Sequence, residues 1–177
     1  MNYKKLMGTA LVFGSMVFAS AAFAAEGWQN VDNAAEKISL IVPSEWTVTT
    51  GGDTIFSAAG GDINMTMTKS PKASSIESLN RIMTVSREKL LQEVKMDFMK
   101  KNPRARLLQC GFVEHPLRSE IRIIATVPEV NAERHYQMNS MFLVNHTWYK
   151  VVSNYPMDPK PGTAQDIQKC IKSLSFE

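Results

Sequence analysis

The sequence predicts an α+β fold: a mostly antiparallel sheet flanked by a long central helix and a C-terminal helix. Three observations carry that expectation. Short strand-like runs are divided by Gly51-Gly52-Asp53 and Gly60-Gly61-Asp62 at hairpin spacing. The hydrophobic period then changes to that of a helix across residues 75–101. A second block of strand-like runs follows, and a last helical stripe ends the chain. Strands, helix, strands, helix is the order of segregated elements rather than of alternating βαβ units.

Residues 1–24 read as a secretory signal peptide. Lys4 and Lys5 precede an apolar and small-residue run, and Ala22-Phe23-Ala24 closes it with an A-x-A cleavage pattern. No cysteine stands near that point to take a lipid. The expected product is a single domain, residues 25–177, released into the periplasm or outside the cell, where cysteines can oxidise. Losing Lys4 and Lys5 takes the formal charge from +3 to +1, which argues against nucleic acid as a partner. After the leader no apolar stretch reaches the ~20 residues of a membrane-spanning helix.

The elements follow in order. Residues 25–37 are polar and read as a lead-in. Residues 38–42 form an apolar strand stopped by Pro43, Trp46 opens a second run at 46–50, and 54–58 is a short strand between the two glycine turns. Residues 63–68 alternate, with Ile63, Met65 and Met67 on one side and Asn64, Thr66 and Thr68 on the other, the period of a strand with one buried face.

Over the predicted long helix, Ile76, Leu79, Met83, Leu90, Val94 and Phe98 share one stripe. Ser74 and Glu77 have the spacing of a capping box, Lys100 and Lys101 suit the negative end of the dipole, and Pro103 stops the element. Basic residues continue to Arg104 and Arg106, a run explained by the dipole. Strands are predicted at 106–113, 119–127, 135–144 and 148–154, the last two joined by a tight turn at Asn145-His146, residues that tolerate positive φ. After Pro156, Pro159 and Pro161, Thr163 and Asp166 are expected to cap a helix whose stripe is Ile167, Cys170, Ile171 and Leu174.

Two stretches resemble a known family. Ile41-Val42-Pro43-Ser44-Glu45-Trp46 is similar to the "apolar, x, Pro, x, x, Trp" opening of PsbP-like and DcrB-like secreted domains. Trp148-Tyr149-Lys150-Val151-Val152, a Pro-containing loop and the closing Ile171-Lys172-Ser173-Leu174-Ser175-Phe176 resemble their ending. The resemblance implies an α/β/α sandwich around an antiparallel sheet, and a binding or accessory role rather than a particular chemistry. No functional residue of the family matches a position here.

The residues that could carry chemistry are few. Cys110 and Cys170 are expected to form a disulfide in an exported chain, with two buried thiols as the alternative. Met65 and Met67 share a face with Ile63 and read as core rather than as a Cu(I) site, and Met138 and Met141 point to opposite faces. His115, His135 and His146 have no metal-ligand spacing and read as exposed turn or strand-end residues, so no metal is expected. No G-x-S-x-G, phosphate loop or cofactor motif occurs. One polar set stands out: Arg118, Glu120 and Arg122 on one side of a strand, and His135, Gln137 and Asn139 on one side of the next, expected to meet as a patch for an anionic ligand.

The expected function is therefore an exported, non-catalytic binding or accessory module of the cell envelope, taking an envelope protein or a small ligand and no cofactor. The alternatives are a secreted hydrolase whose site is built from dispersed residues, and a periplasmic metal-handling protein.

Overall fold

A computed structural model describes residues 26–69, 86–115, 118–128 and 134–177. The expected leader lies outside the described residues, and so do Ser74 and Glu77 of the expected capping box. Among the described residues strands dominate: β1 (Trp28–Asn33), β2 (Ile38–Pro43), β3 (Thr47–Gly51), β4 (Thr54–Gly60), β5 (Ile63–Lys69), then helix α1 (Arg87–Lys101). They continue with β6 (Arg106–His115), β7 (Arg118–Val127), β8 (His135–Val144), β9 (Thr147–Pro156), helix α2 (Thr163–Ser173) and β10 (Ser175–Phe176). The described part of the central helix is thus shorter than the stripe predicted.

The strands form two antiparallel sheets, one of order β1-β2-β10 and one of order β3-β4-β5-β9-β8-β7-β6. β1 falls in the stretch read as a lead-in. Its residues Trp28-Gln29-Asn30-Val31-Asp32-Asn33 carry little β pattern, and pairing with the apolar β2 makes the strand. The β8–β9 turn is as the sequence predicts: Asn145 and His146 have φ of 46° and 64°, the double positive φ of a two-residue hairpin.

Two apolar clusters lie on opposite faces of the larger sheet. On one face, Phe56, Met65, Met67, Met138, Phe142 and Val151 pack with Leu40 and Val42 of β2 and with Ile167, Cys170 and Ile171 of α2. On the other, Phe98 and Val94 of α1 pack with Ile123 and Ala125 of β7 and with Met141. The methionines thus sit as read, Met65 and Met67 in the core and Met138 and Met141 on opposite sides.

The cap of α2 differs from expectation, while that of the described part of α1 falls on a residue the sequence did not single out. Ser86 is the N-cap of α1 as described, its hydroxyl accepting from the Lys89 amide. α2 begins after Gly162 at φ 93°, with no side-chain cap; Thr163 is inside the helix and buried, and Asp166 serves the positive end of the dipole. A left-handed backbone before Thr163 selects glycine there.

Trp46 is 5 % exposed and lies against Gly60, where a Cβ would stand 2.1 Å from Trp46 Cδ1. Of the described helices, none is long and apolar enough to cross a membrane.

Candidate functional site

The polar set singled out in the sequence is divided by the sheet. In the β7–β8 ladder Arg122 pairs with Ser140 and Glu120 with Phe142, whereas His135, Gln137 and Asn139 pair with Val127, Ala125 and Ile123. Directly opposed residues share a face, so Arg118, Glu120 and Arg122 lie on the α2 side and His135, Gln137 and Asn139 on the α1 side. The expectation that the two sets meet is corrected by the register: a pairing shifted by one residue exchanges every face, and residue spacing within each strand does not determine it.

On the α2 side Glu120 and Arg122 pair with each other inside the protein. Glu120 is fully buried and accepts from Arg122 Nε at 2.5 Å, Arg122 Nη2 at 2.8 Å and the Ser140 hydroxyl at 2.6 Å. His115 Nε2 completes the carboxylate at 2.6 Å. Burial alone would raise the Glu120 carboxyl, but the hydrogen bonds from Arg122, Ser140 and His115 outweigh it and hold its pKa below the usual carboxylate range. His115, read as an exposed strand-end residue, is in fact a buried partner of this network, its side chain 5 % exposed. Arg118 turns to α2, donating to the carbonyls of Leu174 and Ile171. Arg122 and the two terminal nitrogens of Arg118 thus donate to protein acceptors, while Arg118 Nε is buried without a hydrogen-bond partner among the described residues.

The cysteines are likewise separated. Cys110 stands opposite Ile123 and packs in the α1 cluster, while Cys170 is buried in the α2 cluster; both are free thiols. The expected disulfide is not formed, because the sheet lies between them and a bridge requires Cα atoms within about 7 Å.

On the α1 side lies a groove of about 280 Å³. Leu90, Val94 and Phe98 of α1 form one wall, at the i, i+4, i+8 spacing of its apolar stripe. Ile123, Asn139 and Met141 form the floor, and Lys150 of β9 stands at the rim with Asp97 and Lys101. Asp97 is already paired with Lys101 at 2.7 Å, and Glu93, also on the wall, is itself engaged. Partial burial and the nearby Lys101 pull the Lys150 ammonium below the usual lysine range, with Asp97 pulling back.

Asn139 gives the groove its chemistry. It is 1 % exposed, and its Nδ2 donates to Gln137 Oε1 at 3.1 Å. Gln137 Nε2 donates to Asn154 Oδ1 at 3.0 Å, and Asn154 Nδ2 to Asn64 Oδ1 at 2.9 Å. A one-way amide chain therefore crosses β8, β9 and β5, and it begins at Asn139 Oδ1, which is buried with no hydrogen-bond partner among the described residues. Such an acceptor costs about 1–3 kcal/mol to bury unpaired. Sequence reading found Gln137 and Asn139 but not Lys150 or the helix wall. The available signal was the polar Asn139 within a strand otherwise rich in apolar residues, and its neighbours come from elements distant in the chain.

Among the described residues no three His, Cys, Asp or Glu side chains come together as metal ligands. No protein-family model matches the chain, and no curated protein matches it. Solved structures do. Cyanobacterial PsbP (CyanoP) from Synechocystis is similar over 92 % of this chain and 99 % of its own, at TM-score 0.61 and 8 % identity. A protein of Bacteroides thetaiotaomicron is similar over 84 % of this chain and 48 % of its own, at TM-score 0.55 and 12 % identity. The fold is PsbP-like.

Proposed function

We propose that this chain is an exported, non-catalytic binding module of the cell envelope, an α/β/α sandwich that takes a small ligand in the groove beneath α1. The observation that carries the reading is Asn139 Oδ1, a buried acceptor with no partner among the described residues, on a residue that lines the groove beside Leu90, Val94, Phe98, Ile123 and Met141. A concave, largely apolar space with one or two placed polar groups is the usual form of a small-molecule site. Export is supported by the leader pattern of residues 1–24 and its A-x-A end. A non-catalytic role is supported by Glu120, whose carboxylate oxygens are fully engaged by Arg122, Ser140 and His115, which leaves it no free lone pair for a substrate proton.

Two measurements test this reading. Fractionation with N-terminal sequencing of the native polypeptide is expected to place it in the envelope beginning at Ala25, and an intact Met1 in the cytosol would refute export. A fragment screen followed by methyl resonances is expected to move Ile123 and Met141 together. Fragments that bind only at other positions would refute the site.

A further inference from the structure

We infer that the groove takes a small N-acylated amino acid, or a molecule of the same plan: an apolar body, an amide N–H and a carboxylate beside it. The inference rests on the groove being the binding site and adds what it binds. Its volume of about 280 Å³ falls just below the usual range of small-molecule cavities, about 300–1,000 Å³, which suits one short acyl chain and not a partner helix.

The polarity of the amide chain fixes the first requirement. Because Asn139, which lines the groove, donates to Gln137, and each amide after it donates onward, the group it has left to offer a ligand is its carbonyl oxygen, which can only accept. The ligand must bring a donor to that point. An apolar body lacking one leaves the acceptor unpaired in a drier site than before, and the amide chain polarises the oxygen further.

Lys150 fixes the second. In the β8–β9 ladder Asn139 pairs with Val152 and Met141 with Lys150, so Lys150 is the diagonal neighbour of Asn139 on the same face, about 7–8 Å away along the pleat. It makes no ion pair among the described residues, whereas Asp97 is already neutralised by Lys101. An anion one or two bonds from the donor at Asn139 lies within reach of its long side chain. The apolar part of the lining, Leu90, Val94, Phe98, Ile123 and Met141, meets an acyl chain, with Glu93 and Asn102 also bordering the groove.

The test is calorimetric titration of the mature chain with three probes: N-octanoylglycine, its glycinamide, which lacks the carboxylate, and decanoate, which lacks the N–H. N-octanoylglycine is expected to bind, with each of the others weaker by about fivefold to tenfold, the value of one hydrogen bond to a polar or charged partner. Lys150→Ala should bring N-octanoylglycine down to the affinity of the glycinamide and leave the glycinamide unchanged. Val94→Trp fills the groove from a half-buried position and should abolish binding of all three with thermal unfolding unchanged, and Leu90→Trp serves where that variant fails to fold. Equal affinity for the three probes, lost with Val94→Trp, would overturn the ligand class and leave the groove standing. Binding untouched by both tryptophan variants, or no binding by folded protein, would overturn the groove as well.

Discussion

The guanidinium of Arg118 closes the C-terminal end of α2, donating from Nη1 to the Leu174 carbonyl at 2.6 Å and from Nη2 to the Ile171 carbonyl at 2.8 Å. The last carbonyls of a helix have no partner within it, and a cation there also meets the negative end of the dipole. Arg118 lies 5.0 Å from the Phe142 ring centroid and 5.6 Å from that of Phe176, so aromatic faces hold the planar group in place. Strand β7 is thereby tied to a helix more than fifty residues later.

Arg118→Ala is expected to lower the unfolding free energy by about 2–3 kcal/mol, read by urea denaturation, since charge-assisted hydrogen bonds to buried carbonyls are lost. Arg118→Lys should recover little of it, because an ammonium cannot reach two carbonyls and stack on two rings at once. Full recovery by lysine would show that only the charge matters.

Glu120→Gln is expected to cost about 3 kcal/mol at pH 7, since it leaves Arg122 buried without its counter-charge. The folded-state pKa of Glu120 is depressed, so its contribution is complete above the unfolded carboxyl value of about 4.3 and is lost as pH falls through the lower folded value. The exposed Glu114 carboxyl is also lowered, chiefly by its hydrogen bonds from Ser119 and Arg87, and titrates with the same sign. The difference between wild type and Glu120→Gln across pH 2–6 isolates the buried group. A constant difference would mean that Glu120 does not titrate in this way.

Cys170 and Cys110 should both be recovered as thiols by maleimide labelling in denaturant without reductant. In the native state Cys170 should stay unlabelled at pH 8, because burial, with Asp166 adding to it, pushes its thiol up to about 12. Burial raises Cys110 too, against the pull of Lys95, but this thiol is only partly enclosed and should react slowly. Recovering neither thiol would show the two faces joined after all.

Gly60→Ala should destabilise by about 1–3 kcal/mol, since the new methyl falls inside the Trp46 ring and the tightly packed indole has to move. A changed near-ultraviolet circular dichroism of the tryptophans should accompany it. An unaltered spectrum and unfolding curve would mean that the indole relaxes without cost.

Local chemistry made much of the fold legible in the chain. Alternation in 63–68 marked which side of β5 is core, and Asn145-His146 marked a two-residue turn, because the cost of positive φ is a property of the residue itself. β1 was not legible. A strand as polar as Trp28–Asn33 exists through its partner β2, and its hydrogen bonds are no property of its own sequence. The α2 cap was misread for a similar reason: Thr163 has the chemistry of an N-cap, but Gly162 in the left-handed region starts the helix one residue earlier and packing buries the threonine.

By itself, then, the amino-acid order determined the kind of most regular elements, β1 and β10 excepted, and which residues alternate together along them, since both follow from periods of two and of 3.6 residues. Only the tertiary structure decided which face met which. Arg122 opposite Ser140 and Asn139 opposite Ile123 are facts of register between strands, and that register put His115 into the core, sent Cys110 and Cys170 to opposite sides, and brought Asn139 and Lys150 beneath α1. Register depends on how the two faces bury their apolar area together, a sum over the whole sheet that no single segment contains.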